Sequence, residues 1–320
     1  MARLLIATLI AIVPVSAFAQ TTLHSCVVVS DNGGPPQRWN GSPADCATRL
    51  SPASTYKIPH ALIGLETGAI TETTVEKWDG VRHPDQPKWN QDHTVFSAMR
   101  PSVLWFFQKM APRIGAARAH EWLGRFAYGN TDTSGPITMY WVNGRLRVSP
   151  DEQVAFLSKF YGGTLPIKKA YVDHLKDAMQ QAPGTVENAR GVRKLDAQWR
   201  DGISLNSKTG ASTIESGESV SWLVGQLSVD GRAITFASAV WRAKGGVDTL
   251  DATRLAIKTL VDRGVLQAAT LRRDALEREP TRQSFVAGSH GADGRPEDQF
   301  AVVELEKPFL IGADVIGPPR

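Results

Sequence analysis

The chain has 320 residues, 42% of them hydrophobic and 21% charged, a balance that suits one large core or two smaller ones and excludes a disordered or solenoid protein. Its formal charge of +4 comes from 36 Lys and Arg against 32 acidic residues mixed along the chain, which excludes a nucleic-acid-binding tail. Two cysteines are too few for a cysteine-built zinc site or a dense disulfide scaffold, so stability must come from packing.

Arg3 precedes an uncharged run from Leu4 to Val13, followed by Pro14 and the small-residue pattern Ala17-Phe18-Ala19 before Gln20. Residues 1–19 therefore read as a secretory signal peptide, because the run is shorter than the ~20 residues a membrane span requires. The expectation is a periplasmic or secreted protein with no membrane span after signal cleavage. Export would place Cys26 and Cys46 in an oxidising compartment, where a bridge closing this loop contributes roughly 3 kcal/mol. Two buried free thiols are the alternative.

His24 to Ser30 reads as a strand, and Asp31 to Pro43 as a polar loop containing Gly and Pro. Ile58 to Thr67 has helical composition and stops at Gly68. From Val103 to Phe126 the apolar spacing predicts two helices meeting at a bend near Pro112 and Gly115, and Gln153 to Tyr161 predicts another helix. The pattern changes after Asp201. Ile203 to Lys208, Ser221 to Val229 and Ala233 to Trp241 predict three consecutive antiparallel strands, the last two joined through Asp230-Gly231, and Leu250 to Val261 predicts a closing helix. This order implies an α+β fold, an antiparallel sheet flanked by helices with a helical lobe inserted into the sheet lobe and a cleft between the lobes. Residues 20–265 form the expected catalytic domain. Residues 266–320, charge-dense at Arg272 to Arg282 and rich in Gly and polar residues from Ala287 to Asp298, are expected to be a poorly ordered extension; short strands at Phe300 to Leu305 and Phe309 to Val315 are the alternative.

Ser54-Thr55-Tyr56-Lys57 stands where the early loop gives way to a helix, which puts a hydroxyl and an amine one turn apart on the same face. A serine is a poor nucleophile until a base takes its proton, and a lysine is a base only when desolvation or chemical modification removes its charge. A helix start also aims backbone N–H groups at a developing oxyanion. Alone, the tetrapeptide is a weak signal, because serine and lysine are common, and a capping serine with a solvated lysine is the more ordinary reading of it. Lys208-Thr209-Gly210 projects a cation and a hydroxyl near a strand end, with Gly210 allowing the backbone to approach a ligand. SxxK followed by KTG is the paired signature of penicillin-recognising serine enzymes.

In these motifs, and in Gly64-Leu65-Glu66-Thr67-Gly68, Trp78-Asp79-Gly80, Ser102-Val103-Leu104, Tyr128-Gly129-Asn130, Trp141, Gln153 with Phe156-Leu157, and Trp222 to Gly225, the chain resembles the class D serine β-lactamases over roughly residues 21 to 265. The resemblance implies a serine β-lactamase/transpeptidase-like fold and hydrolysis of β-lactams, with antibiotic resistance as the consequence. It implies no bound cofactor; carbon dioxide or bicarbonate would convert Lys57 to a carbamate that serves as general base. The histidines suggest no metal, since His83 and His93 lack a nearby helical ligand pair and His60 is isolated. Leu104, Phe106, Phe107 and Trp141 offer apolar walls, and the Trp141 N–H can donate to a carbamate oxygen.

The same resemblance gives the oxyanion to the N–H groups of Ser54 and Ala211, proton relay to Ser102, a positive field to Lys208, and the substrate carboxylate to Thr209 and Arg254. Gln153, Phe156, Asn130 and the Trp78-Asp79-Gly80 turn read as architecture, while Tyr128 either stacks on substrate or anchors a loop. Leu104 departs from the family's usual valine by one methylene beside the expected carbamate, where it could narrow access. The implied partners are β-lactam small molecules and not nucleic acid. A β-lactam sensor or penicillin-binding domain that acylates without rapid turnover is the alternative, with a peptidoglycan transpeptidase or carboxypeptidase behind it.

Overall fold

A computed structural model describes residues 22–269; the expected signal peptide 1–19 and the expected extension from residue 270, with its alternative short strands, lie outside the described residues. The chain opens with strand β1 (His24–Asp31) and the short strand β2 (Gln37–Asn40), followed by helix α1 (Pro43–Ala47), a 3-10 turn at Ala53–Tyr56 and helix α2 (Lys57–Glu66). A long loop carrying a 3-10 turn at Pro87–Trp89 leads to α3 (Leu104–Ile114), α4 (Ala116–Phe126), α5 (Pro150–Tyr161) and α6 (Lys169–Met179). A small hairpin, β3 (Thr185–Asn188) and β4 (Gly191–Lys194), precedes the long strands β5 (Ile203–Thr213), β6 (Ser219–Val229) and β7 (Arg232–Arg242), and α7 (Asp251–Asp262) follows.

The main sheet has the order β2-β1-β7-β6-β5 and every pairing is antiparallel. The expected α+β architecture is therefore present, with the helices α2 to α6 lying between β1 and the late strands in sequence. Asp230 and Gly231 both have positive φ, 51° and 82°, and so form the tight turn that the right-handed twist of β6 and β7 requires. The bend between α3 and α4 falls at Gly115, while Pro112 is absorbed inside α3.

Several elements differ from the sequence reading. The loop expected from Asp31 to Pro43 contains β2, a polar edge strand whose half-exposed side chains carry no apolar alternation. Helix α5 starts at Pro150 because Ser149 and Glu152 form a reciprocal capping box. The Trp78-Asp79-Gly80 turn lies within the long loop that follows α2, with Asp79 Oδ1 accepting from Val81 N at 3.0 Å. The folded body continues past residue 265: Leu266 is buried against the sheet, and Gln198 N donates to Gln267 O at 2.9 Å. Of the two states open to Cys26 and Cys46, the structure contains the disulfide, which ties β1 to α1.

Strand alternation divides the interior in two. Cys26, Val28, Trp222, Val224, Ala237 and Ala239 face the helical lobe and join the larger core with α2, α3 and α5. Val27, Val29, Leu223, Leu227, Ile234 and Phe236 face the other way and pack with Ala256, Ile257 and Leu260 of α7. The site described next sits where the helical-lobe face meets the edge strand β5.

Candidate active site

Ser54 lies in the 3-10 turn immediately before α2, with Ala53 ahead of it in a left-handed conformation at φ 46°. A non-glycine residue held there carries strain, so its surroundings must impose it. They do so from three directions. Ser51 Oγ donates to Val142 O at 2.7 Å, Trp222 Nε1 donates to Ser51 O at 2.9 Å, and Gln153 Nε2 donates to Thr55 Oγ1 at 2.7 Å. Pro59 falls in the first turn of α2, where its missing N–H costs no intrahelical bond.

Lys57, the first residue of α2, is fully buried, and its Nζ donates to Ser54 Oγ at 2.8 Å. The amine lies 5.3 Å from the centre of the Phe107 ring. Loss of water, and then the nearby Lys208 charge, push its pKa well below the usual lysine range. Once unprotonated, the nitrogen can accept the Ser54 O–H across the same contact.

Lys208 projects from β5 into the same region and is also buried; its Nζ donates to Ser102 Oγ at 3.0 Å and to Thr209 O at 2.9 Å. Ser102 is a second left-handed non-glycine residue, at φ 58°. Burial lowers the Lys208 pKa to about 7, against an opposing effect of Glu187. Glu187, which the sequence reading passed over, is itself buried and receives a hydrogen bond from Lys88 Nζ at 2.6 Å.

Gly210 owes its identity to a different neighbour from the expected ligand. A Cβ at this position would meet Thr55 N and Thr55 Cγ2 at 3.1 Å and Pro52 O at 3.2 Å, so the missing side chain lets β5 lie directly on the turn that carries Ser54. The register places Lys208 opposite Val224, on the helical-lobe face, and Thr209 and Ala211 opposite Leu223 and Ser221, on the α7 face. Ser221 Oγ donates to Thr249 O at 3.0 Å and accepts from Ala252 N at 3.2 Å, which anchors the start of α7 beside Ala211. Arg254 follows in the first turn of α7. It is largely exposed and lies 3.2 Å from Asp251 and 3.4 Å from Asp248.

Behind Lys57 is an aromatic enclosure. Trp141 is fully buried and its Nε1 has no hydrogen-bond partner. His60, which the sequence shows only as an isolated histidine, is fully buried with both ring nitrogens unpartnered, and burial lowers its pKa to about 3. Its ring centre stands 5.0 Å from those of Tyr56 and Trp141. Phe106 and Phe107 are fully buried core residues, and Leu104 opens α3 in a half-buried position against the same core. Tyr128 is fully buried beside Tyr56 and Phe156, which excludes stacking on a substrate and leaves the anchoring role. Asn130 braces its loop, donating to Arg145 O at 2.8 Å and accepting from Arg147 N at 2.9 Å.

The arrangement supplies a hydroxyl in contact with a desolvated amine, a second hydroxyl in contact with a second buried amine, and a strand edge beside both. Comparison with known proteins agrees with this geometry. The model of the penicillin binding protein transpeptidase domain matches residues 25–258. The regulatory protein BlaR1 of Bacillus licheniformis is 32% identical over 222 residues, which is 69% of this chain and 34% of that protein. The probable β-lactamase YbxI of Bacillus subtilis is 36% identical over 193 residues, 60% of this chain and 65% of YbxI. In both cases the match spans less than two thirds of the relative's own length. A solved class D β-lactamase from Bacillus subtilis superposes with a TM-score of 0.62 at 30% identity, covering 76% of this chain and 92% of the other.

Proposed function

The chain belongs to the penicillin binding protein transpeptidase domain family, with class D β-lactamases among its relatives, and from that premise we propose that it hydrolyses β-lactam antibiotics through an acyl-enzyme on Ser54 and thereby confers resistance. The observation that carries this reading is the 2.8 Å contact between Ser54 Oγ and a Lys57 amine stripped of water.

Ser54 Oγ gives up its proton on the Lys57 side as it attacks the lactam carbonyl, and the N–H groups of Ser54 and Ala211 receive the negative charge that develops on the carbonyl oxygen. Ser102, already hydrogen-bonded to Lys208 at 3.0 Å, passes a proton to the departing lactam nitrogen. Thr209 and Arg254, reached from the α7 side of β5, take the substrate carboxylate, for which Arg254 exchanges its present acidic partners. Gly210 holds the strand against the nucleophile turn, and Leu104 borders the entrance at the start of α3.

Deacylation requires a base that persists after Ser54 is esterified. An unprotonated Lys57 amine can bond the carbon of carbon dioxide and release its proton to water, and the resulting carboxylate supplies an anionic base at that position. The residues around Lys57 suit this group: the walls are aromatic, and Trp141 Nε1 is a buried donor that lacks an acceptor. Export to the periplasm or medium belongs to the same reading and is supported by the Cys26–Cys46 bridge, since such bridges persist in oxidising compartments. Among the described residues no helix is long and apolar enough to cross a membrane.

Steady-state turnover of a chromogenic cephalosporin, measured with and without bicarbonate, tests this reading; sustained hydrolysis that rises with bicarbonate is the expected result. A second reading, acylation without turnover, is favoured by the BlaR1 match, which covers 69% of this chain against 60% for YbxI. Intact-mass spectrometry after β-lactam exposure separates the two. Rapid return to the native mass supports the hydrolase, and a long-lived adduct supports the sensor.

A further inference from the structure

His60 has no partner for either ring nitrogen although it is fully buried. Burying a polar atom unpaired is costly, and such orphans in a folded protein call for a missing partner or a function. The enclosure gives no packing reason for an imidazole. Its ring neighbours Tyr56, Phe107 and Trp141 are aromatic, and none of them hydrogen-bonds it.

The location of the orphans is specific. His60 is three residues after Lys57 on α2, so the two side chains share a helix face. The Phe107 ring, 5.3 Å from Lys57 Nζ, is also 5.8 Å from the His60 ring, and the Trp141 ring is 5.0 Å from it. Two buried donors without acceptors, the Trp141 indole and the His60 imidazole, thus stand ring beside ring, with His60 also beside the Phe107 ring that the Lys57 amine faces. A carboxylate has two oxygens and about four acceptor sites, which answers both donors at once.

We propose that His60 is a positioning residue for carboxylated Lys57, donating one ring N–H to the carboxylate while the Trp141 indole donates from the other side. The proposal rests on the carboxylation of Lys57 read above. Because burial keeps the imidazole neutral, one of its nitrogens always carries the N–H that this role needs.

The experiment is a titration of the purified protein with 13C-bicarbonate, following the carboxylated lysine by 13C NMR, for the native chain, His60→Phe and His60→Asn. Phenylalanine keeps a ring in the enclosure and removes both nitrogens, whereas asparagine retains an N–H donor. His60→Phe should need about tenfold more bicarbonate for half-carboxylation, as expected for one lost hydrogen bond to a charged group, and His60→Asn should recover part of that loss. In the native chain, a 15N-labelled His60 ring resonance should also shift on carboxylation, a readout that needs no variant to fold. A native carboxylysine signal whose bicarbonate dependence is unchanged in His60→Phe, or a His60 resonance that does not move, would overturn the proposal alone. Absence of the carboxylysine signal from the native chain would overturn the Lys57 reading and this proposal with it.

Discussion

Beneath α7 the sheet presents Val27, Leu223, Leu227, Ile234 and Phe236, and polar side chains buried there, such as Ser221 and Ser238, are hydroxyls bonded to backbone at the start of α7. On the opposite face the same strands meet the helical lobe, and there the interior holds two lysines, a histidine and a tryptophan whose polar atoms are only partly satisfied. Both faces leave some buried polar atoms unpaired, Ser207 Oγ and Thr253 Oγ1 on the α7 side among them, but around Ser54 the orphans are an imidazole and an indole close to buried amines. Departures of this kind persist only where neighbouring structure over-determines them, and the left-handed Ala53 and Ser102 mark the two points at which it does. The difference teaches that alternation in β6 and β7 lets a conventional apolar face support a reactive one a single strand thickness away.

The most severe way to break the comparison is to remove the reactive pair. Ser54→Ala should abolish covalent capture of a β-lactam by intact mass, and Lys57→Ala should lower hydrolysis by at least about a thousandfold, since both remove a group that acts as part of a unit. Both variants should remain folded by circular dichroism; Lys57→Ala also removes a buried four-carbon stem, so it should unfold at a lower temperature than Ser54→Ala. Retained turnover in Ser54→Ala would remove the nucleophile assignment.

A second variant works on the other face. Phe236 is buried under α7, and Phe236→Ala should cost about 3–5 kcal/mol of unfolding free energy, the range for a large aromatic truncated in a core. Below its own melting transition, this variant should show the native bicarbonate dependence of hydrolysis. A changed dependence would mean that the two faces are coupled through the strands and not merely stacked.

How much of this division is legible in the sequence depends on the strength of local patterns. The long strands β5, β6 and β7 and the Asp230-Gly231 turn announce themselves through alternation and turn chemistry, so the sheet and the place of Lys208 on it follow readily. SxxK places Lys57 beside Ser54 through helix geometry alone, and that contact is present at 2.8 Å. Polar or short elements, β2, α1, α6 and the β3–β4 hairpin, lack a wide apolar face or a strong turn signal and were not readable. Glu187 approaches Lys208 only through that unread hairpin. His60 could be found in the sequence, but its unpartnered state could not, because it depends on Phe107 and Trp141 arriving from distant segments. Gly210 shows the reverse case: the residue type signals close approach, yet the partner is the chain's own nucleophile turn.

The smallest effect sharpens the account of Lys208 itself. Its pKa is about 7 in the folded protein, whereas an unfolded lysine titrates near 10.5. Between those values the unfolded chain binds more protons than the folded one, so this residue makes stability climb with pH by up to about 1.4 kcal/mol per unit; below about pH 7 both states are protonated and its contribution is flat. Lys208→Met keeps a long apolar stem without the titration. Urea unfolding of the native chain and the variant from pH 7 to pH 9 should therefore show the native chain gaining stability relative to Lys208→Met as pH rises. Lys57 is present in both proteins, so its own desolvation largely cancels in the difference. A difference independent of pH would mean that water reaches Lys208 and that the helical-lobe face holds one desolvated amine instead of two.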